Sequence, residues 1–202
     1  MKIQGGVYKG RKFKTLENQN LRPTLSKVRA AVFDVLQSHL PFSEAIFYDL
    51  FAGTGSVGLE ALSRGFAGAV FVEPKAKIFH LLEQNTAFLP KVSFFLFQQE
   101  AFSFLEQSSA QNFNLPFSKN LGWVVSYIDP PYELYEQTEF CAKLQENLSK
   151  TQNHPRKYWV IQANKNQDHR VQTLFHPGLK AETIKIAQKK IYGQTLLYFL
   201  ST

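Results

Sequence analysis

The chain is poor in sulfur: Cys141 is its one cysteine and Met1 its one methionine among 202 residues. A single cysteine excludes an internal disulfide, and no Cys/His cluster stands at metal-ligand spacing, so no metal is expected. The histidines at 39, 80, 154, 169 and 176 are scattered and build no nucleophile–base pair. Cys141 falls in the helical series Leu134, Thr138, Cys141, Leu144, Leu148, which assigns it to a core rather than to chemistry. No stretch approaches about 18 apolar residues, and the start Met1-Lys2-Ile3-Gln4-Gly5 has no apolar signal segment. The expectation is a cytoplasmic protein without membrane association. Acid is scarce in one place only. Residues 1–30 carry Lys2, Lys9, Arg11, Lys12, Lys14, Arg22, Lys27 and Arg29 against Glu17 alone, which equals the whole net charge of +7.

An even spread of charge would describe a solvated surface, and this is not one. A basic segment on an otherwise neutral chain suggests a phosphate-binding extension, with nucleic acid as its partner. Lys9, Arg11, Lys12, Arg22, Lys27 and Arg29 are the candidate contacts. With 44% hydrophobic residues the chain can bury about seven-tenths of its unfolded surface. Nineteen phenylalanines predict an aromatic core.

Residues 1–22 read as an extended arm or hairpin, with Gly5-Gly6 and Lys9-Gly10 as turns. Pro23-Thr24 opens a helix whose apolar positions 28, 31, 32, 35 and 36 share a face, with Arg22, Lys27 and Arg29 opposite it or at its start. Pro41 ends that helix. Four strand–helix units follow: 46–51 with 56–64, 69–73 with 75–88, 92–97 with 101–107, and 123–128 with 133–149. A strand at 158–163, a short helix near 167–175 and a hairpin turning at Tyr192-Gly193 close the chain. Alternating strands and helices predict a mostly parallel sheet with helices on both faces, and the closing hairpin adds one antiparallel strand. Residues 1–40 form an extension and 41–202 a single globular unit.

The run Ile128-Asp129-Pro130-Pro131-Tyr132 directly follows an apolar strand. Each proline fixes its own φ and lacks an N–H, and Pro131 pushes Pro130 toward an extended conformation. Carbonyls, a carboxylate and a ring face are then presented together. An exocyclic amine of a nucleobase is a weak nucleophile because its lone pair is delocalised. Accepting both its protons, at Asp129 and the Pro130 carbonyl, favours the pyramidal amine that attacks a methyl group. Tyr132 could stack on the base for about 1–3 kcal/mol. Against this stands a plain β-turn, since Pro-Pro after a strand is common punctuation.

A second motif bears on the choice. The strand Ile46–Phe51 leads into Ala52-Gly53-Thr54-Gly55-Ser56-Val57-Gly58, then a helix, then a strand ending in Glu73. This is the first half of a nucleotide-binding sheet. Gly53, Gly55 and Gly58 also satisfy the G-x-G-x-x-G pattern of dinucleotide oxidoreductases, so the glycines alone do not separate a methyl donor from NAD. Asp49 favours the methyl donor, because a carboxylate inside a strand is costly unless paired and the α-amino group of S-adenosylmethionine supplies a cation. Glu73 is then placed to accept from the ribose hydroxyls, with helix capping as the alternative.

Asp49-Leu-Phe-Ala-Gly-Thr-Gly-Ser-Val-Gly-Leu-Glu-Ala-Leu-Ser-Arg-Gly65 and Asp129-Pro-Pro-Tyr132 resemble the RsmD family of small-subunit rRNA (guanine-N2)-methyltransferases. So do Gly5-Gly6, Gly10-Arg11-Lys12, Leu21-Arg22-Pro23-Thr24 with Val28-Arg29, and Lys190-Ile191-Tyr192-Gly193-Gln194-Thr195. The resemblance runs in order along nearly the whole chain. It implies a Rossmann-like class I S-adenosylmethionine-dependent methyltransferase with a seven-stranded sheet. It also implies transfer to guanine N2 in 16S rRNA, free or in a small-subunit assembly particle, with no oligomer required. The cofactor set it implies is Asp49, Phe51, Ala52, Gly53, Thr54, Gly55, Gly58, Glu73, Glu100 and Ala101, the Glu100-Ala101 pair contacting the adenine amine. Asp129, Pro130, Pro131 and Tyr132 are its catalytic run. Ala30 stands where the family carries an acid, Ile161-Gln162-Ala163 where a strand ends in glutamate, and Ser108–Asn120 is longer than the family's loop. The competing classes are a DNA adenine or cytosine amino-methyltransferase, an NAD-dependent oxidoreductase and a non-catalytic RNA-binding module. A DNA enzyme is expected to carry an added target-recognition region, and the intact Asp129–Tyr132 run argues against a mere binding module.

Overall fold

A computed structural model describes residues 1–15, 26–110, 121–149, 156–174 and 185–201. Seven strands form one sheet: β1 Ala45–Asp49, β2 Gly68–Val72, β3 Phe94–Phe97, β4 Trp123–Ile128, β5 Arg156–Asn164, β6 Lys185–Tyr192 and β7 Thr195–Ser201. Among the described residues six α-helices accompany them: α1 Ser26–Gln37, α2 Ser56–Ser63, α3 Ala76–Thr86, α4 Ala101–Ala110, α5 Thr138–Ser149 and α6 Asp168–Thr173. The sheet order is β3-β2-β1-β4-β5-β7-β6. β1 to β5 pair in parallel and β7 runs antiparallel to both neighbours, as the closing hairpin predicts.

Strand residues alternate between the two faces, so each face has its own core. Phe47, Phe71, Phe94, Val125, Tyr127 and Val160 pack with α1, α2 and α3. Ile46, Val70, Val72, Ile128, Trp159 and Ile161 pack with α4, α5 and α6. Phenylalanine dominates the first face: Phe33 lies against Phe42, Phe47 and Phe66, and Phe42 stacks on Phe66 at 4.4 Å.

The N-terminal hairpin is real and is bonded to the rest of the chain. Lys2 bridges Lys12, Gly10 N–H donates to the Ile3 carbonyl, and Gly6 and Gly10 take the positive φ of 76° and 85° that their turns require. The hairpin lies across the outer side of α2. Val7 N–H donates to the Ser63 carbonyl at 2.8 Å, Tyr8 N–H to Ser63 Oγ at 2.9 Å, and Gln4 N–H to Glu60 Oε2 at 2.7 Å. This cover explains why α2 is buried from Val57 to Ser63.

Several bounds shift, β3 among them starting at Phe94 rather than 92 after a 3-10 turn at Lys91–Ser93, and two of the shifts bear on the site. β1 ends at Asp49, so the glycine loop starts two residues earlier than the apolar run suggests. α5 begins at Thr138 rather than 133, because a 3-10 turn, Tyr132–Glu136, follows the two prolines. α4 runs on to Ala110, so the first three residues of the expected 108–120 loop are helical; residues 111–120 and the helix start at Pro23-Thr24 lie outside the described residues. Among those described, no helix is long and apolar enough to cross a membrane.

Candidate active site

β1 and β4 lie side by side, and the chain's crossovers leave them in opposite directions. Their carboxyl ends open on the crevice where a doubly wound sheet binds its ligand. Asp49 is the last residue of β1 and pairs with Tyr127, two residues before Asp129. Glu73 follows the end of β2, and its N–H donates to the Phe97 carbonyl at the end of β3. Parallel register therefore brings Asp49, Glu73, Glu100 and Asp129 to one edge.

Two of these acids are bonded into the glycine loop. Asp49 is 1% exposed and its Oδ2 accepts the Gly58 N–H at 2.9 Å. Glu73 Oε2 accepts the Gly53 N–H at 3.1 Å, and its Oε1 accepts the Lys75 N–H at 2.9 Å. Glu73 thus ties the residue that precedes α3 to the glycine loop with one side chain. The glycines have separate reasons. Gly55 has φ 86°, and a Cβ there would meet Leu82 Cδ1 at 2.6 Å; one on Gly58 would meet the Phe71 ring at 2.2 Å. Gly53 has φ 53° and faces open space. The loop is pressed against the core at Gly55 and Gly58 and open at Gly53.

Burial, with Asp129 and Glu73 adding repulsion, pushes the Asp49 carboxyl up to about 7 despite the Gly58 N–H. Burial raises Glu73 as well, with Glu100 a lesser contributor that shows how near that acid lies. Among the described residues no three His, Cys, Asp or Glu side chains can share a metal ion. An edge of this kind suits an organic cation. It does not suit a pyrophosphate, because the amides that such a loop turns toward an anion at Gly53 and Gly58 are already taken by carboxylates.

Asp129 is half-buried, Pro130 buried, Pro131 exposed and Tyr132 half-buried. The Pro131 carbonyl is engaged by the Leu134 N–H at 3.0 Å. The turn is anchored from below by Tyr135, fully buried, whose hydroxyl donates to the Gln162 carbonyl at 2.8 Å. The Gln162 side chain in turn accepts from Tyr127 Oη at 2.7 Å. Phe140 stands edge-on to Tyr135 and beside both Phe51 and Phe102. Ala52 and Ala101 are buried, Phe51, Gly53 and Thr54 are partly exposed, and Glu100 is exposed.

The basic residues divide. Lys9, Arg11, Lys12 and Lys27 are exposed. Arg22 lies outside the described residues. Arg29, expected among the outward cations, is 0% exposed and is corrected to a structural role. Its guanidinium donates to the Lys2 carbonyl at 2.9 Å and pairs with Glu60 at 3.4 Å, and Glu60 also receives Arg64 Nε at 2.9 Å. Burial lowers the Arg29 pKa, partly offset by Glu60.

One residue that the motifs did not single out ties the site together. Asn85, 5% exposed, accepts the Lys14 N–H at 2.8 Å and donates to the carbonyls of Lys14 and Thr54, each at 2.9 Å. Its signal in the sequence was a polar residue in phase with the buried Ile78 and Leu82.

Residues 1–201 match the family model described as conserved hypothetical protein 95. A curated relative, ribosomal RNA small subunit methyltransferase D of Escherichia coli K12, is 34% identical over 140 residues, 68% of this chain and 64% of that protein. The match thus spans a little under two thirds of the relative's length. Among solved structures, a candidate methyltransferase from Escherichia coli shares the fold at TM-score 0.71 and 23% identity, covering 100% of this chain and 97% of that one. A candidate SAM-dependent methyltransferase from Streptococcus mutans shares it at TM-score 0.69 and 10% identity, covering 94% of this chain and 53% of that one.

Proposed function

The chain belongs to the conserved hypothetical protein 95 family, the RsmD family, and from that premise we propose that it methylates the N2 amine of a guanine in small-subunit rRNA, using S-adenosylmethionine. One observation carries the cofactor assignment: Asp49 and Glu73 occupy the glycine-loop amides, leaving an acid-lined edge that needs a cation. The cofactor brings two, a sulfonium and an α-ammonium. Asp49 holds the ammonium, Glu73 the ribose hydroxyls, and Glu100 with Ala101 the adenine amine, with Phe51 to Gly55 and Gly58 shaping the floor.

When bound, the cofactor supplies an electrophilic methyl group. Asp129 and the Pro130 carbonyl accept hydrogen bonds from the two amine N–H groups, which concentrates lone-pair density on the nitrogen. Tyr132 stacks on the base, and Pro131 keeps the turn stiff. No general base is required, since the methylated amine loses its proton to water. Rate enhancement would rest on the site's positioning of the target amine against the methyl group that the cofactor supplies. Lys9, Arg11, Lys12, Arg22 and Lys27 hold the RNA.

Tryptophan quenching by S-adenosylhomocysteine but not by NADH is the expected result, and the reverse preference would return the chain to the oxidoreductases. Mass spectrometry of rRNA from a strain lacking the protein should show one guanine without its N2 methyl group. A loss of methyl from adenine or cytosine in DNA would instead favour the DNA amino-methyltransferase reading.

A further inference from the structure

Between the N-terminal hairpin and α3 lies an open groove of about 490 Å³ whose lining includes Arg11, Lys12, Lys14, Gln84, Asn85 and Phe88 and no acid. Among the described residues none of its three cations has a carboxylate partner. The Arg11 guanidinium carbon sits 3.6 Å above the centre of the Phe88 ring, and Tyr8 meets the same ring edge-on at 5.1 Å. A guanidinium seated over a ring face spends no N–H on a hydrogen-bond acceptor there, so its donors stay available to grip a phosphate through two parallel bonds. Lys14 Nζ donates to Gln84 Oε1 at 2.9 Å, a neutral contact that orients the ammonium without neutralising it.

We propose that this groove grips the rRNA backbone beside the target nucleotide, with Arg11 on Phe88 as a phosphate fork and Lys12 and Lys14 flanking it. The assignment rests on the methyltransferase reading and adds to it a location and an offset. Asn85 floors the groove and bonds the Thr54 carbonyl of the glycine loop, so a strand seated there is held at a fixed distance from the methyl donor. Three cations with no carboxylate partner among the described residues, beside an aromatic platform, suit a phosphate chain better than a protein surface, which would have to supply a matching acid for each cation.

The test uses the full-length protein and a protein-free transcript of the small-subunit rRNA. Arg11→Gln with Lys14→Gln should raise the RNA KM on the order of tenfold and flatten the slope of log affinity against log salt by about 1.4 units, two single-strand phosphate contacts. Both kcat and S-adenosylhomocysteine affinity should stay at wild-type values. Phe88→Leu keeps the charge but removes the platform, and should weaken RNA binding with little change in salt slope. Unchanged RNA KM and slope in the double variant, in a protein that still methylates the transcript, overturns the groove and leaves the methyltransferase reading intact. A defect seen only on assembled subunits, never on the bare transcript, overturns it in favour of a protein contact. A wild-type protein that methylates neither substrate refutes the underlying reading instead.

Discussion

Asp129 carries the sharpest consequence at the scale of single residues. If its carboxylate accepts the target amine, Asp129→Ala should lower kcat on the order of 10²–10³, as loss of one oriented transition-state partner does, with cofactor affinity nearly unchanged. Near-wild-type turnover would remove the mechanism. Asp49 predicts a pH effect. Its folded carboxyl titrates at about 7 against 3.8 ordinarily, so the ligand-free protein holds a proton there that the unfolded chain has lost. That contribution favours the fold below about pH 4 and is lost as pH rises through about 7. An ammonium ligand reverses the preference by favouring the carboxylate. The thermal shift produced by S-adenosylhomocysteine should therefore be larger at pH 8 than at pH 6, and Asp49→Asn should remove the difference. These acids were legible in the sequence because each stands beside a glycine turn or a proline pair. Asn85 and Gln162 were not legible as partners, because what they bond is set by packing across 31 to 71 residues of chain.

The hairpin and α2 act as one element. Their interface is built from hydrogen bonds between hairpin backbone and α2 side chains 55 to 58 residues apart, and the buried Arg29 of α1 joins the two through the Lys2 carbonyl and Glu60. No local pattern encodes such a pairing, which is why Arg29 read as a surface cation: it stands next to the apolar Val28, in a basic stretch. The same absence of local signal hid the 3-10 turn after Pro131, where two prolines delay α5 by a turn and more. Gly6 gives the test. A Cβ there would fall 1.7 Å from the Ser63 carbonyl oxygen, backbone that cannot rotate away, at a φ that L-residues avoid. Gly6→Ala should destabilise the protein by at least about 2 kcal/mol or release the hairpin. Denaturant melts would show the first outcome. Intact S-adenosylhomocysteine binding with weakened RNA binding would show the second. Full stability with full RNA affinity would mean that the hairpin does not dock on Ser63.

At the scale of the whole molecule, the alternation of strands and helices was enough to give the parallel sheet and its antiparallel end. The order of the strands was not, because it depends on which edge each crossover returns to. Charge distribution belongs to this scale too. Residues 1–30 hold the whole excess of +7, and the hairpin that carries much of it is fixed on α2 beside the glycine loop rather than trailing in solvent. A fixed patch of one sign directs encounter, so its main effect should be on the association rate. Reversing Lys9, Arg11 and Lys12 to Glu turns three exposed cations into anions without touching Asp49, Glu73 or Asp129. The association rate with rRNA should fall by at least about tenfold at low salt and converge on the wild-type rate as salt screens both proteins. S-adenosylhomocysteine affinity should not move. Stopped-flow binding across a salt series separates this from a contact effect, which would appear in the dissociation rate and persist when the field is screened. Association and dissociation rates both indifferent to the reversal would make the basic arm a structural brace alone.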